Sequence, residues 1–219
     1  MRGRGRWVDP FAGMPGRRLF VAVPLPEDAA AAVTAIVDDV RGQALPEGLR
    51  DVRWVRLDGL HLTLRFLGPT APDRIEPTAL AVRSAAAECE PLRLTIAGAG
   101  TFPPGPRPRT LWLGLGAGLD ALASLAAGTD RALRDAGWSF DERLLRPHLT
   151  LARSDGLPAG PLVAARLATG IADRTIVADI DRVGLFESIT GGGPARYVAI
   201  DEAPLGAASS DASSVYHRP

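Results

Sequence analysis

The chain has 219 residues, 46% hydrophobic and 23% charged, which excludes wholesale disorder and allows a sizeable core in one domain or two small lobes. Its 25 basic residues balance 25 acidic ones, so no global field draws it to nucleic acid or a membrane, and polyanion recognition has to be local. A single cysteine, Cys89, excludes an internal disulfide and a multi-cysteine zinc site; with no apolar stretch of membrane-spanning length, a cytoplasmic, reducing compartment is expected. Every basic residue is arginine, a bias we ascribe to a GC-rich coding sequence and not to function.

The stretch Met1–Arg18 carries Arg2, Arg4, Arg6, Arg17 and Arg18 against one acid, Asp9, and lacks the apolar core of a signal peptide. Residues 1–17 are expected to be a disordered basic extension, with Met14 as a possible true start. Leu19–Leu25 reads as a strand and Glu27–Arg41 as a helix, with an acidic first turn and Val33, Ile36, Val37 and Val40 at helical spacing. Strands follow at Val52–Val55 and His61–Leu67, then a helix over Asp73–Glu90 and a longer strand over Leu92–Phe102. A Pro/Arg loop, Pro103–Arg109, leads to the strand Thr110–Leu115 and to a helix over Leu119–Ala136, stopped by Gly137. His148–Ala152 is a strand, Pro161–Thr169 a short helix and Ile176–Phe186 one long strand. After the Gly191–Gly193 turn comes a last strand, Arg196–Ile200, and residues 203–219, with His217, read as a disordered tail.

These elements repeat. Strand, helix, His-x-Thr strand, helix and long strand occur once over residues 19–102 and again over 110–186, with both histidines in the word His-Leu-Thr-Leu. Gly100-Thr101-Phe102 follows His61 at nearly the interval at which Gly184-Leu185-Phe186 follows His148. We expect an internal duplication, hence two lobes about a pseudo-twofold axis, within a single domain spanning residues 18–202.

Alternation along a strand puts His61, Thr63 and Arg65 on one face and Leu62, Leu64 and Phe66 on the other. His148 and Thr150 share a face in the same way, opposite Leu149 and Leu151. If the apolar faces are core and the strands lie near the axis, two His/Thr pairs converge on one cleft. Phosphodiester hydrolysis needs such a set: one group takes a proton from water while another protonates the departing alkoxide on the opposite side. Histidine suits both tasks, and threonine hydroxyls can donate to non-bridging oxygens. Two histidines without a nearby cysteine or convincing carboxylates fall short of a usual zinc set, so neither metal nor cofactor is expected.

The blocks RLFVAVPLPED, VRWV…GLHLTLRFLG, GTFPPGPRPRTLWLG, RPHLTLAR and ARYVAI, spread from Arg18 to Ile200, resemble the 2H phosphoesterase superfamily. Within it they are most similar to the RNA 2′,3′-cyclic phosphodiesterases, formerly called 2′-5′ RNA ligases. The resemblance implies an α+β fold, bilobal, with antiparallel sheets and flanking helices around a central cleft. It also implies metal-independent opening of a 2′,3′-cyclic phosphate to a 2′-phosphate, with RNA ends or small cyclic nucleotides as partners. By motif position, His61 resembles the proton donor, His148 the proton acceptor, and Thr63 and Thr150 the phosphate-binding hydroxyls; the near-symmetric copies leave that split open. Strict alternation points Arg153 away from His148, so it reaches a phosphate only if the strand ends or twists there, whereas Arg65 is expected on the histidine face. Arg107 and Arg109 read as solvated loop charges, and Trp54 and Phe66 as core before base-stacking residues. The alternatives are a non-catalytic module binding nucleotides or RNA ends, and RNA ligation as the reverse reaction.

Overall fold

A computed structural model describes residues 15–141, 145–191 and 193–206. In chain order the elements are β1 (Arg17–Pro24), α1 (Glu27–Arg41), β2 (Arg53–Trp54), a 3-10 turn (Leu57–Gly59), β3 (His61–Thr70), α2 (Pro72–Ala87), β4 (Leu92–Phe102) and β5 (Thr110–Ala117). Then follow α3 (Leu119–Asp135), β6 (Leu149–Arg153), α4 (Ala159–Ile171), β7 (Ile176–Ile180), β8 (Arg182–Ile189) and β9 (Arg196–Pro204). The expected helices are present, and the stop at Gly137 has a defined cause. Gly137 has φ +80°, its N–H donates to the Arg134 carbonyl at 2.8 Å, and Trp138 N–H donates to Leu133 at 2.9 Å. These paired bonds close the helix around a left-handed residue that glycine adopts without a Cβ penalty.

All strand pairs are antiparallel, in two sheets of order β3-β1-β8-β9 and β2-β6-β5-β4-β7. Helices α2 and α3 pack on the first sheet, α1 and α4 on the second. The chain is thus α+β with two sheets and flanking helices. In each sheet a histidine strand (β3, β6) pairs with the first strand of its own repeat (β1, β5). That first strand pairs on its other side with a strand of the opposite repeat, β8 or β4. Each lobe is therefore built from both repeats.

The structure corrects three boundaries. The expected strand Ile176–Phe186 breaks at Asp181: β7 ends one sheet at Ile180, and β8 begins in the other at Arg182. β9 runs past Ile200 to Pro204, with Ala203 and Leu205 buried, so the chain stays ordered into the stretch expected to be a tail. At the other end Arg17 already pairs with Thr70 in β1. Residues 1–14 and 207–219, His217 included, lie outside the described residues. No described helix is long and apolar enough to cross a membrane.

One apolar core runs through both lobes, and Leu62, Leu64, Leu149 and Leu151 all belong to it. The apolar positions of both HLTL words thus face inward, as alternation requires, and anchor the strands that carry the histidines.

Candidate active site

His61 and His148 are presented by the same local device. His61 opens β3 directly after the 3-10 turn, and its Nδ1 lies 2.7 Å from the carbonyl oxygen of Gly59. His148 immediately precedes β6, and its Nδ1 lies 2.7 Å from the carbonyl oxygen of Arg146, again two residues upstream. A carbonyl only accepts, so in both rings Nδ1 carries the proton and Nε2 of the neutral imidazole keeps its lone pair. Burial pushes both pKa values below the ordinary imidazole value, partly offset by these carbonyls. The charge of His148 also lowers the His61 value, and β3 meets β6 directly.

The second leucine of each HLTL word sits on a bulge. In the β1–β3 ladder Val21 faces Arg65 but Ala22 faces Thr63, skipping Leu64; in the β5–β6 ladder Leu111 faces Ala152 but Trp112 faces Thr150, skipping Leu151. One extra residue reverses the phase of alternation. Arg65 is accordingly not on the histidine face. Its Nε donates to Asp130 of α3 at 2.7 Å, its second nitrogen binds the other oxygen of that carboxylate, and its guanidinium lies 4.3 Å from the Phe140 ring centre. Ala152, at the matching position, is fully buried.

The next residue comes back to the histidine side. Arg153 donates to Thr110 Oγ1 at 2.7 Å and is near enough to depress His148 and Tyr197, so alternation misplaced it. Its counterpart Phe66 is 41% exposed, against the expected core position. Thr63 is exposed and Thr150 half-buried, and neither hydroxyl is bonded to any described group. Trp54 packs against the core, as expected, with Arg41 5.9 Å from its ring centre. Arg107 and Arg109 are exposed in their loop.

Alternation also missed an aromatic floor. His61 lies 4.9 Å from Phe20 and 4.7 Å, edge to face, from Tyr197, with Phe186 stacked 5.6 Å behind Phe20. His148 stands edge-on to Phe102 at 5.0 Å, and Trp112 is 5.0 Å from Phe102. The repeated glycines make room for these rings: a Cβ at Gly100 would lie 2.4 Å from the Trp112 ring, and one at Gly184 2.7 Å from Phe186. The duplicated Gly-x-Phe word was the available signal, since Phe102 and Phe186 are its third residues. Burial raises the Tyr197 pKa, which keeps the phenol protonated. Among the described residues no three His, Cys, Asp or Glu side chains gather as a metal set.

Two antiparallel sheets, one with a His-x-Thr strand at its edge and the other with one next to its edge, are the architecture of a two-histidine phosphoesterase. The model of the family described as "LigT like Phosphoesterase" matches residues 23–112 and 115–195, and the chain belongs to that family. A Thermus thermophilus protein named RNA 2′,3′-cyclic phosphodiesterase is 35% identical over 150 residues, 62% of this chain and 68% of its own length. A Geobacillus stearothermophilus protein of the same name is 35% identical over 134 residues, 61% of this chain but only 41% of its own length. For an Aeropyrum pernix relative of that name, also 35% identical, the match spans 49% of this chain and 62% of the relative. Among solved structures, E. coli LigT complexed with 3′-AMP superposes with TM-score 0.63 at 25% identity, covering 86% of this chain and 98% of that one.

Proposed function

We propose that this two-histidine site hydrolyses 2′,3′-cyclic phosphates at RNA ends or on small nucleotides, giving a 2′-phosphate without a metal. The observation that carries the reading is the paired device: two neutral imidazoles, each locked by the carbonyl two residues upstream, each with an uncommitted threonine hydroxyl two residues on. The relatives named RNA 2′,3′-cyclic phosphodiesterase support this substrate class, and the LigT complex with 3′-AMP supports a nucleotide ligand. A cytoplasmic role in RNA processing is part of the same reading.

His148 Nε2 takes a proton from water as the water oxygen attacks phosphorus; the P–O3′ bond breaks in line, and the His61 imidazolium delivers its proton to O3′. One P–O bond forms and one breaks, and the two histidines exchange protonation states, which solvent resets. Thr63 and Thr150 donate to the non-bridging oxygens, and Arg153 balances the phosphate charge. The electrostatics favour this division of labour. Burial, reinforced by Arg153, keeps His148 neutral, as a base must be, whereas His61, depressed by burial and by the charge of His148 but not by an arginine, gains its proton when the anionic phosphate arrives.

The test is incubation with a nucleoside 2′,3′-cyclic phosphate in chelator, with the product isomer identified by phosphorus NMR. The 2′-phosphate is expected. A 3′-phosphate would reverse the roles of His61 and His148, and tight binding without turnover would leave a non-catalytic RNA-end binder.

A further inference from the structure

Bulge and register on the His148 side put a second arginine in line with the first. Cross-strand partners in an antiparallel ladder project to the same face. In the β2–β6 ladder Arg53 is the partner of Arg153 and Trp54 the partner of Ala152. Ala152 is fully buried and Trp54 packs against the core, so the other face, with Arg53 and Arg153, is the one that carries the site. On the far side of Arg153, Thr110 is its partner in β5. The row Arg53–Arg153–Thr110 thus runs across three adjacent strands, each about 4.8 Å from the next.

Arg53 is held only loosely. Its Nε and a terminal nitrogen donate to Asp155 Oδ2 at 3.0 and 2.5 Å, yet the two side chains are 65% and 45% exposed. An exposed ion pair of this kind contributes about 0–1 kcal/mol, so exchanging the carboxylate for a phosphate costs little. Asp155 itself has φ +50°, the left-handed region, which turns the chain immediately after β6 and places its carboxylate beside β2. The geometry supplies a guanidinium with a planar donor fork one strand outward from the arginine that serves the reacting phosphate.

We propose that Arg53 is a second phosphate subsite. It takes the phosphodiester on the 5′ side of the terminal nucleotide, so that the protein prefers an RNA strand over a mononucleotide. The inference rests on the proposed function for the identity of the terminal group, but its readout is separable. Arg53→Ala is compared with the unaltered protein on a nucleoside 2′,3′-cyclic phosphate and on a pentaribonucleotide ending in the same group. The expected result is a loss of about tenfold in kcat/KM on the oligonucleotide, carried by KM, with the mononucleotide rate kept within about twofold. The affinity for a 2′-phosphorylated pentaribonucleotide should fall in parallel, and its slope against salt should diminish by about one. That binding measurement stands even if no hydrolysis is seen, an outcome that would sink the functional reading alone. Equal losses on both substrates, or none on either, would overturn the subsite. Asp155→Asn releases Arg53 and should leave oligonucleotide affinity unchanged or raised; a loss matching that of Arg53→Ala would mean that the pair merely ties β2 to β6 and would also overturn it.

Discussion

His61 and His148 are held by one device and finished by different neighbours. The carbonyl lock, the threonine two residues on and the bulge at the second leucine are the same in both halves. What differs is the wall. His61 is enclosed by Phe20 and Tyr197, whereas His148 is more open, between Phe102 and the charge of Arg153. At the position where one half returns Arg153 to the site, the other presents Phe66. The lesson is that a duplicated backbone sets reach and tautomer, and unshared side chains then set the preferred protonation state of each ring.

The strongest way to break this comparison is to remove each ring in turn. His61→Ala and His148→Ala should each lower kcat by about 10²–10⁴ with the circular dichroism spectrum unchanged. Profiles of kcat/KM against pH should separate them: loss of the base removes the acid limb in His148→Ala, and loss of the acid removes the basic limb in His61→Ala. Loss of the same limb in both variants would contradict the division of roles.

The two arginines at the bulges give a smaller, crossed effect. Arg153→Ala should cost about tenfold or more in kcat/KM and leave thermal stability near that of the unaltered protein. Arg65→Ala should do the opposite. Its ion pair with Asp130 is only 12% and 18% exposed, so stranding that carboxylate should cost about 1–3 kcal/mol in chemical denaturation while kcat/KM stays within about twofold. A catalytic loss in Arg65→Ala as deep as in Arg153→Ala would refute the change of face at the bulge.

The smallest effect is on stability against pH. Because burial lowers both histidine pKa values, the unfolded chain takes up protons near pH 6.5 that the folded protein resists. More protons on the unfolded state mean that stability is full above that range and falls as pH drops through it. The melting temperature should therefore decline from about pH 7.5 to about pH 5.5. His61→Gln should reduce that decline more than His148→Gln, since His61 is the more enclosed ring.

Much of this was legible in the chain. The HLTL words locate both histidines and their threonines, because the leucines between them have to be core. The bulges were not legible, since an extra residue shows only against the partner strand, in the Val21/Ala22 and Leu111/Trp112 steps. That is why Arg65, Phe66 and Arg153 were given the wrong faces. The change of sheet at Asp181 had a visible mark: Asp181 and Arg182 are consecutive exposed charges that interrupt the alternation of Ile176, Ala178 and Ile180. The aromatic floor was hidden by its own chemistry, because an aromatic residue on a strand satisfies the pattern of a core position equally well.

The exchange of strands between repeats bears on how the protein comes into being. β1 needs β8, from the far end of the chain, before its sheet is complete, whereas β5 pairs with β4, the strand just before it. His61 therefore acquires its full surroundings, Tyr197 included, only when nearly all of the chain has been synthesised and paired, whereas Phe102, Trp112 and Arg153 beside His148 all come earlier in the chain. Such long-range closure slows folding and makes it cooperative. A nascent or truncated chain that lacks β8 and β9 accordingly leaves the His61 half unfinished, and the two-histidine site is complete only once those strands are paired.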